Sequence, residues 1–225
     1  MTTKMSTALT AAIVFFGFAG CNNKPPVPKS LGNTSTPPLV TPADQKYANV
    51  FSMLDGKWEG AFYIYEDSLG QHKGNARPEI TENLEFAGLA LRPIQEIEVR
   101  QEYVSESPYF QRVIIRDTYA DADGKTRTVE SRGVNKVQDG RLWCIVKKPD
   151  ETVIHYGKPG GPGTIIWQRD ERNPLKIEYF RETVEDDYYK IVGWGYYAGD
   201  DPDLTPRLWF VGDYSKVAEF QSALP

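Results

Sequence analysis

Residues 57–214 alternate between apolar and polar side chains with a period of two, most clearly in the segment EIEVRQEY at residues 96–103. Turn-forming pairs such as Asp-Gly, Gly-Gly and Asn-Pro interrupt the alternation about every 8 to 15 residues, a spacing typical of hairpins. Successive side chains of a β-strand point to opposite faces, so this pattern predicts half-buried strands joined by tight turns. We therefore predict an all-β domain of about ten antiparallel strands.

The expected architecture is an up-and-down antiparallel β-barrel, because closing a meander of strands removes its exposed edges. No pattern of a long crossover helix interrupts the strands. A share of 12% aromatic residues, with 13 Tyr and 5 Trp, also favours β structure. A two-sheet sandwich is the alternative architecture.

One short helix is predicted before the first strand. Thr41 is placed to cap it, Pro42 suits its first position, and Tyr47, Phe51 and Leu54 follow at helical spacing. The helix is expected to end at Gly56.

The N-terminus carries an export signal. Its apolar run of about 13 residues is too short to span a bilayer but suits the core of a signal peptide. The sequence Phe18-Ala19-Gly20-Cys21 resembles the bacterial lipobox, in which the cysteine is diacylated and becomes the mature N-terminus. This resemblance implies a signal peptide at residues 1–20 and lipidation of Cys21; an incidental cysteine beyond an ordinary cleavage site is the alternative.

Residues 21–41 are expected to form a lipid-anchored, proline-rich tether, followed by the barrel domain with its helix at residues 42–225. Five prolines and few apolar residues predict an extended spacer there. The resemblance implies a location in the bacterial cell envelope and a membrane partner reached through the acyl chains. Asn22, directly after the anchor, favours the outer membrane if the source has two membranes.

The segment Gly56-Lys57-Trp58 resembles the Gly-x-Trp opening of lipocalins and related calycin barrels, which also follows a short helix. The resemblance implies that Trp58 closes the barrel floor beneath a basic residue from a late strand, and Arg207 matches that residue. The alternative is an ordinary core tryptophan after a glycine that ends the helix.

No catalytic constellation, metal-ligand spacing or cofactor motif is found in the sequence. A formal net charge of −5 argues against a nucleic-acid partner, which needs a basic face. His155 lies in a predicted strand, where it is either a haem ligand or a structural residue. Glu178 and Glu182 are read as charges on the solvated outer face of a strand.

Polar residues interrupt several strand faces that are otherwise apolar and are expected to point into the barrel. Such residues indicate a cavity that binds a small apolar or amphipathic molecule, with Arg181 or a neighbouring inward polar residue orienting any acidic group. The predicted ligand-binding residues are Gln101, Gln111, Ser131, Tyr179 and Arg181. The alternative function is an envelope interaction or assembly lipoprotein with a filled barrel.

The lipobox resemblance predicts that the protein expressed in a bacterium incorporates labelled fatty acid and sediments with membranes. Cys21→Ser removes the acylated thiol and should abolish both properties. Metabolic labelling and fractionation test this, with Cys144→Ser as the matched control that should retain both. Membrane attachment that survives Cys21→Ser, with no label in the wild type, contradicts lipidation.

Overall fold

The computed structural model describes residues 27, 29–80, 89–120 and 124–218. The predicted signal peptide and Cys21 lie outside the described residues.

Ten strands within these residues form a closed antiparallel barrel. Each strand pairs with its neighbours in sequence, and β1 pairs with β10 to close the ring. The up-and-down barrel predicted from the alternation is therefore confirmed, and the sandwich alternative is excluded. The strands are β1 Gly56–Asp67, β2 Leu91–Ser107, β3 Phe110–Ala120, β4 Thr126–Gln138, β5 Arg141–Lys147, β6 Thr152–Gly161, β7 Thr164–Arg172, β8 Leu175–Glu185, β9 Tyr188–Tyr196 and β10 Leu208–Lys216.

The predicted short helix is present before β1 as two 3-10 helices, Gln45–Tyr47 and Ser52–Leu54. Asp44 organises their start: its Oδ2 accepts hydrogen bonds from the backbone N and the Oγ1 of Thr41, both at 2.7 Å. Phe51 and Leu54 are buried at the end of the barrel where β1 begins. They form part of the plug that closes this end.

Trp58 lies at the closed end and is fully buried. Its Nε1 donates a hydrogen bond to the Leu54 carbonyl oxygen at 2.7 Å, which fastens the second 3-10 helix to the barrel. The edge of its ring meets Tyr189, with 5.5 Å between ring centroids. The cation against the indole is Lys216, whose Nζ lies 5.3 Å from the ring centroid.

The prediction that Arg207 lies against Trp58 is wrong. Because β1 and β10 are antiparallel, Trp58 pairs with Lys216 at the end of β10, whereas Leu208 at its start pairs with Glu66. Arg207 therefore lies at the opposite end of the barrel. Its Nε donates to Asp200 Oδ1 at 2.7 Å, and its Nη1 donates to Glu66 Oε1 at 3.4 Å.

Part of the predicted tether is packed on the outer wall of the barrel. Leu31, in the 3-10 helix Lys29–Gly32, is buried against a cluster on β3, β4 and β5 that includes Phe110 and Trp143. Lys136 Nζ donates to the carbonyl oxygens of Leu31 and Asn33 at 3.0 and 2.9 Å. From Leu31 onward, this segment belongs to the folded domain rather than to a free spacer.

A second part of the outer wall is covered by the long connection between β1 and β2. Ile80 from this connection is buried against Trp194, whose Nε1 donates to the Pro78 carbonyl oxygen at 2.8 Å. The wall beneath it is apolar and aromatic, and includes Ile166, Ile177, Tyr179, Tyr196 and Trp209. On this side, the strands bury both faces.

Trp58→Ala should lower the free energy of unfolding by about 3 to 5 kcal/mol, because it opens a void at the closed end and frees the Leu54 carbonyl. Urea unfolding measures the change. Val104→Ala, at a side chain that is 51% exposed, is the control and should change stability by less than about 0.5 kcal/mol. A loss below about 1 kcal/mol for Trp58→Ala contradicts its role in the plug.

Candidate functional site

The barrel interior holds a cavity of about 330 Å³ above the plug. This volume lies at the lower end of the range of small-molecule sites, about 300 to 1,000 Å³. Its apolar lining comes from both halves of the barrel and includes Phe62, Ile97, Val99, Val146, Phe180 and Phe210. The cavity is the candidate functional site.

Inward-facing glycines give room for aromatic rings along the cavity wall. A Cβ at Gly157 would lie 2.5 Å from Cε3 of Trp167, and one at Gly193 would lie 2.6 Å from Cδ1 of Phe180. Both rings therefore lie in the space left by the missing side chains. This arrangement lets large residues line the barrel without filling its centre.

A network of charged and polar side chains lines the cavity toward the end opposite the plug. Glu178 is its centre: Oε2 lies 2.9 Å from His155 Nε2 and 3.7 Å from Arg169 Nη1, and Oε1 accepts from the Tyr197 hydroxyl at 2.7 Å. Burial alone raises the pKa of Glu178, but the hydrogen bonds from His155 and Tyr197 and the nearby positive charges lower it to about 2. Glu178 is consequently an anion held by its neighbours.

Glu182 is the acidic group nearer the plug. Its Oε2 accepts a hydrogen bond from Trp167 Nε1 at 2.8 Å. Burial raises the pKa of Glu182 to about 7, only partly offset by hydrogen bonds from Trp167 and Tyr189. Within the described residues, no lysine or arginine forms an ion pair with this carboxyl.

Asp117 and Ser131 contribute further polar groups to the lining. Burial raises the pKa of Asp117, and the charge of Lys148 lowers it in part. Ser131 is 1% exposed, and its Oγ has no hydrogen-bond partner among the described residues. This hydroxyl is therefore available to donate or accept a hydrogen bond with a group inside the cavity.

The structure places three of the five predicted ligand-binding residues inside the barrel. Gln101 and Ser131 line the cavity. Gln111 is buried nearer the plug, where its Nε2 donates to the Phe51 carbonyl oxygen and to Asp55 Oδ1, both at 2.8 Å. Gln111 therefore joins the 3-10 segment to the wall instead of lining the cavity.

Tyr179 and Arg181 face the outside of the barrel, contrary to the prediction. Tyr179 stacks on Trp194 with 5.5 Å between ring centroids, beneath the β1–β2 connection. Because that connection buries the outer wall, Ile177 and Tyr179 of β8 pack outward, whereas Glu178 and Glu182 point inward together with Phe180. Sequence reasoning assigned the two faces of β8 the wrong way round and so missed both acids.

The wall has a seam between β6 and β7. β6 and β7 are paired from Gly161 and Thr164 at one end to Tyr156 and Gln168 at the other. The ladder therefore does not include residues 152–155 of β6 or residues 169–172 of β7. Side chains bridge the seam: Arg169 Nη2 lies 3.3 Å from Glu151 Oε2, and Lys176 also pairs with Glu151. A second cavity of about 260 Å³ is lined by Tyr179, Arg169 and Glu178, of which the last two also line the interior.

Among the described residues, no group of three or more His, Cys, Asp or Glu side chains is placed to hold a metal ion. No helix within them has the length and apolar character needed to cross a membrane. Cys144 lines the cavity as a free thiol, and burial raises its pKa.

No model of a known protein family matches the chain, and no curated protein sequence matches it. Among solved structures, the chain is similar to one described as a redesigned β-barrel, at 12% sequence identity and a TM-score of 0.34. The similarity covers 76% of this chain and 97% of that one. The fold assignment rests on the strand register and not on this similarity.

The raised pKa of Glu182 makes stability depend on pH. The folded state retains this proton up to about pH 7, whereas an ordinary glutamate near 4.5 loses it earlier, so the contribution of Glu182 to stability falls as pH rises through this window. Glu182→Gln should flatten that fall and raise stability at neutral pH by roughly 1 to 3 kcal/mol. Urea unfolding from acid to neutral pH measures it; Glu185→Gln, at an exposed position on the same strand, should leave the profile unchanged. An unaltered slope in Glu182→Gln contradicts the assignment.

Proposed function

We propose that the protein is a lipid-anchored protein of the bacterial cell envelope whose barrel binds a small apolar or amphipathic molecule. The single observation that carries the binding role is the interior cavity, which combines an apolar lining with a few inward polar groups. Small-molecule sites are commonly built in this way.

The interior differs from that of a barrel filled for stability alone. Ser131 Oγ is buried without a partner in the described residues, and Glu182 is a half-buried, cavity-lining carboxyl without a cation in the same residues. Each of these groups costs stability unless something else interacts with it. Their presence around one cavity favours a binding role over the alternative, an envelope interaction protein with a filled barrel.

The proposed location rests on the N-terminal sequence. Phe18-Ala19-Gly20-Cys21 supports diacylation of Cys21, and two acyl chains anchor a protein far more firmly than one. The chain between the anchor and Leu31 sets how far the barrel sits from the lipid, because Leu31 is already docked on the barrel. A membrane-bound barrel of this kind is placed to receive molecules of limited water solubility.

A thermal-shift screen tests the binding role. The panel consists of fatty acids, long-chain alcohols and amines, lysolipids, haem and bilins, and a binder raises the melting temperature by mass action. Ile115→Trp, at a cavity-lining position, should fill the space and abolish the shift. Ile114→Trp, the adjacent residue of β3, points to the other face and should preserve it.

Two results would contradict the proposed function. One is a panel in which no compound shifts the wild-type melting temperature. The other is a shift that Ile115→Trp leaves unchanged, since the compound would then bind outside the cavity. Either result would favour the surface-interaction alternative.

A further inference from the structure

We infer that the molecule held in the barrel is an amphipathic cation, with an amine at Glu182 and an apolar body along the phenylalanine rings of the cavity. This inference rests on the proposed function and specifies the class of its ligand. It replaces the expectation of an acidic group held by an inward arginine, because Arg181 faces outward.

The charges around the cavity disfavour an anion. Four acids line it, Asp117, Glu151, Glu178 and Glu182, against the cations Lys148 and Arg169 and the imidazole of His155. Arg169 is already shared among Glu151, Glu171 and Glu178, at 3.3, 3.0 and 3.7 Å. An anionic head group at Arg169 would therefore lie beside three carboxylates, of which, among the described residues, only Glu151 is also paired with a lysine, Lys176, and would be repelled by them.

Glu182 offers a carboxylate inside the cavity, the kind of partner that a buried cation needs. Its carboxyl lines the cavity and is fixed by the hydrogen bond from Trp167 Nε1 at 2.8 Å. A carboxyl enclosed without a counter-ion gains most from an opposite charge, because the surrounding medium screens that charge weakly. The titratable side chains that approach it are Tyr103, Tyr189, Tyr214 and Cys144, all of them neutral near pH 7 because burial raises their pKa values.

Ser131 is an independent observation that points to a further polar group on the ligand. Its Oγ is buried, faces the cavity and has no hydrogen-bond partner in the described residues. A hydroxyl in this position can accept a hydrogen bond from an ammonium group or a bound water, and it can also donate one. It is separated from Glu182 by the cavity, since β4 and β8 are four strands apart in the barrel.

Three phenyl rings provide an apolar surface that also attracts cations. The ring of Phe210 lies between those of Phe62 and Phe180, with centroid distances of 5.8 and 5.4 Å. Aromatic faces carry partial negative charge and stabilise a nearby ammonium as well as an alkyl chain. The same rings give no such advantage to a carboxylate.

Calorimetric titration with decylamine, decanol and decanoate tests this inference, since the three probes share one alkyl chain and differ in head group. The protein is the full chain carrying Cys21→Ser, and probe concentrations stay below micelle formation. Protonated decylamine should bind roughly tenfold more tightly than decanol, and decanoate should bind most weakly. Glu182→Gln should reduce the preference for the amine to within about threefold, whereas Glu185→Gln should retain it.

Asp117→Asn provides a second variant, because it removes an acid from the opposite side of the barrel and should weaken amine binding by a smaller factor. Equal or tighter binding of decanoate by the wild type overturns the cation assignment while leaving the proposed binding function in place. An amine preference that persists in Glu182→Gln overturns the role of Glu182. Absence of binding by all three probes, together with no compound found in the thermal-shift screen, overturns the proposed function itself.

Discussion

Pairing of β1 with β10, which sets Gly60 opposite Tyr214, joins the first and last strands of the domain and leaves neither with an unpaired outer edge. The 3-10 segment before β1 then enters at one end of the ring, where Trp58 fixes it through the Leu54 carbonyl. Closure and plug depend on one another: the ring defines an interior, and the plug gives that interior a floor. The cavity exists because the side chains above the floor do not meet at the centre.

Because part of the outer wall is covered, the inner wall does not have to supply all the apolar contacts that stabilise the barrel. Beneath the β1–β2 connection, Tyr179 and Trp194 are buried outside the barrel and provide apolar contacts for β8 and β9. The inward positions of β8 are therefore free to carry Glu178 and Glu182, which would weaken a barrel whose stability came from the interior alone. The covered exterior therefore allows the interior to be polar.

The sequence was sufficient to predict the all-β barrel, the number of strands and the short helix before β1, because alternation and turn residues act locally. It also placed Gln101 and Ser131 on the inner face, since they share the parity of Val99 and Val129 on their strands. It failed on β8, where both faces are buried and alternation does not distinguish inside from outside; the unusual length of the connection before β2 was the available signal. It also failed on Arg207, because the register between β1 and β10 depends on contacts more than 140 residues apart in the chain.

The seam between β6 and β7 has a consequence for how the barrel moves and how it avoids other chains. Backbone amides outside a ladder exchange their hydrogens with solvent more readily, so we expect the barrel to open first in this part of the wall. An unpaired edge also invites a strand from another molecule, and charged side chains along an edge oppose such pairing. The ion pairs of Glu151 with Arg169 and Lys176 bridge the two strands. The same charges oppose pairing with a strand from another molecule.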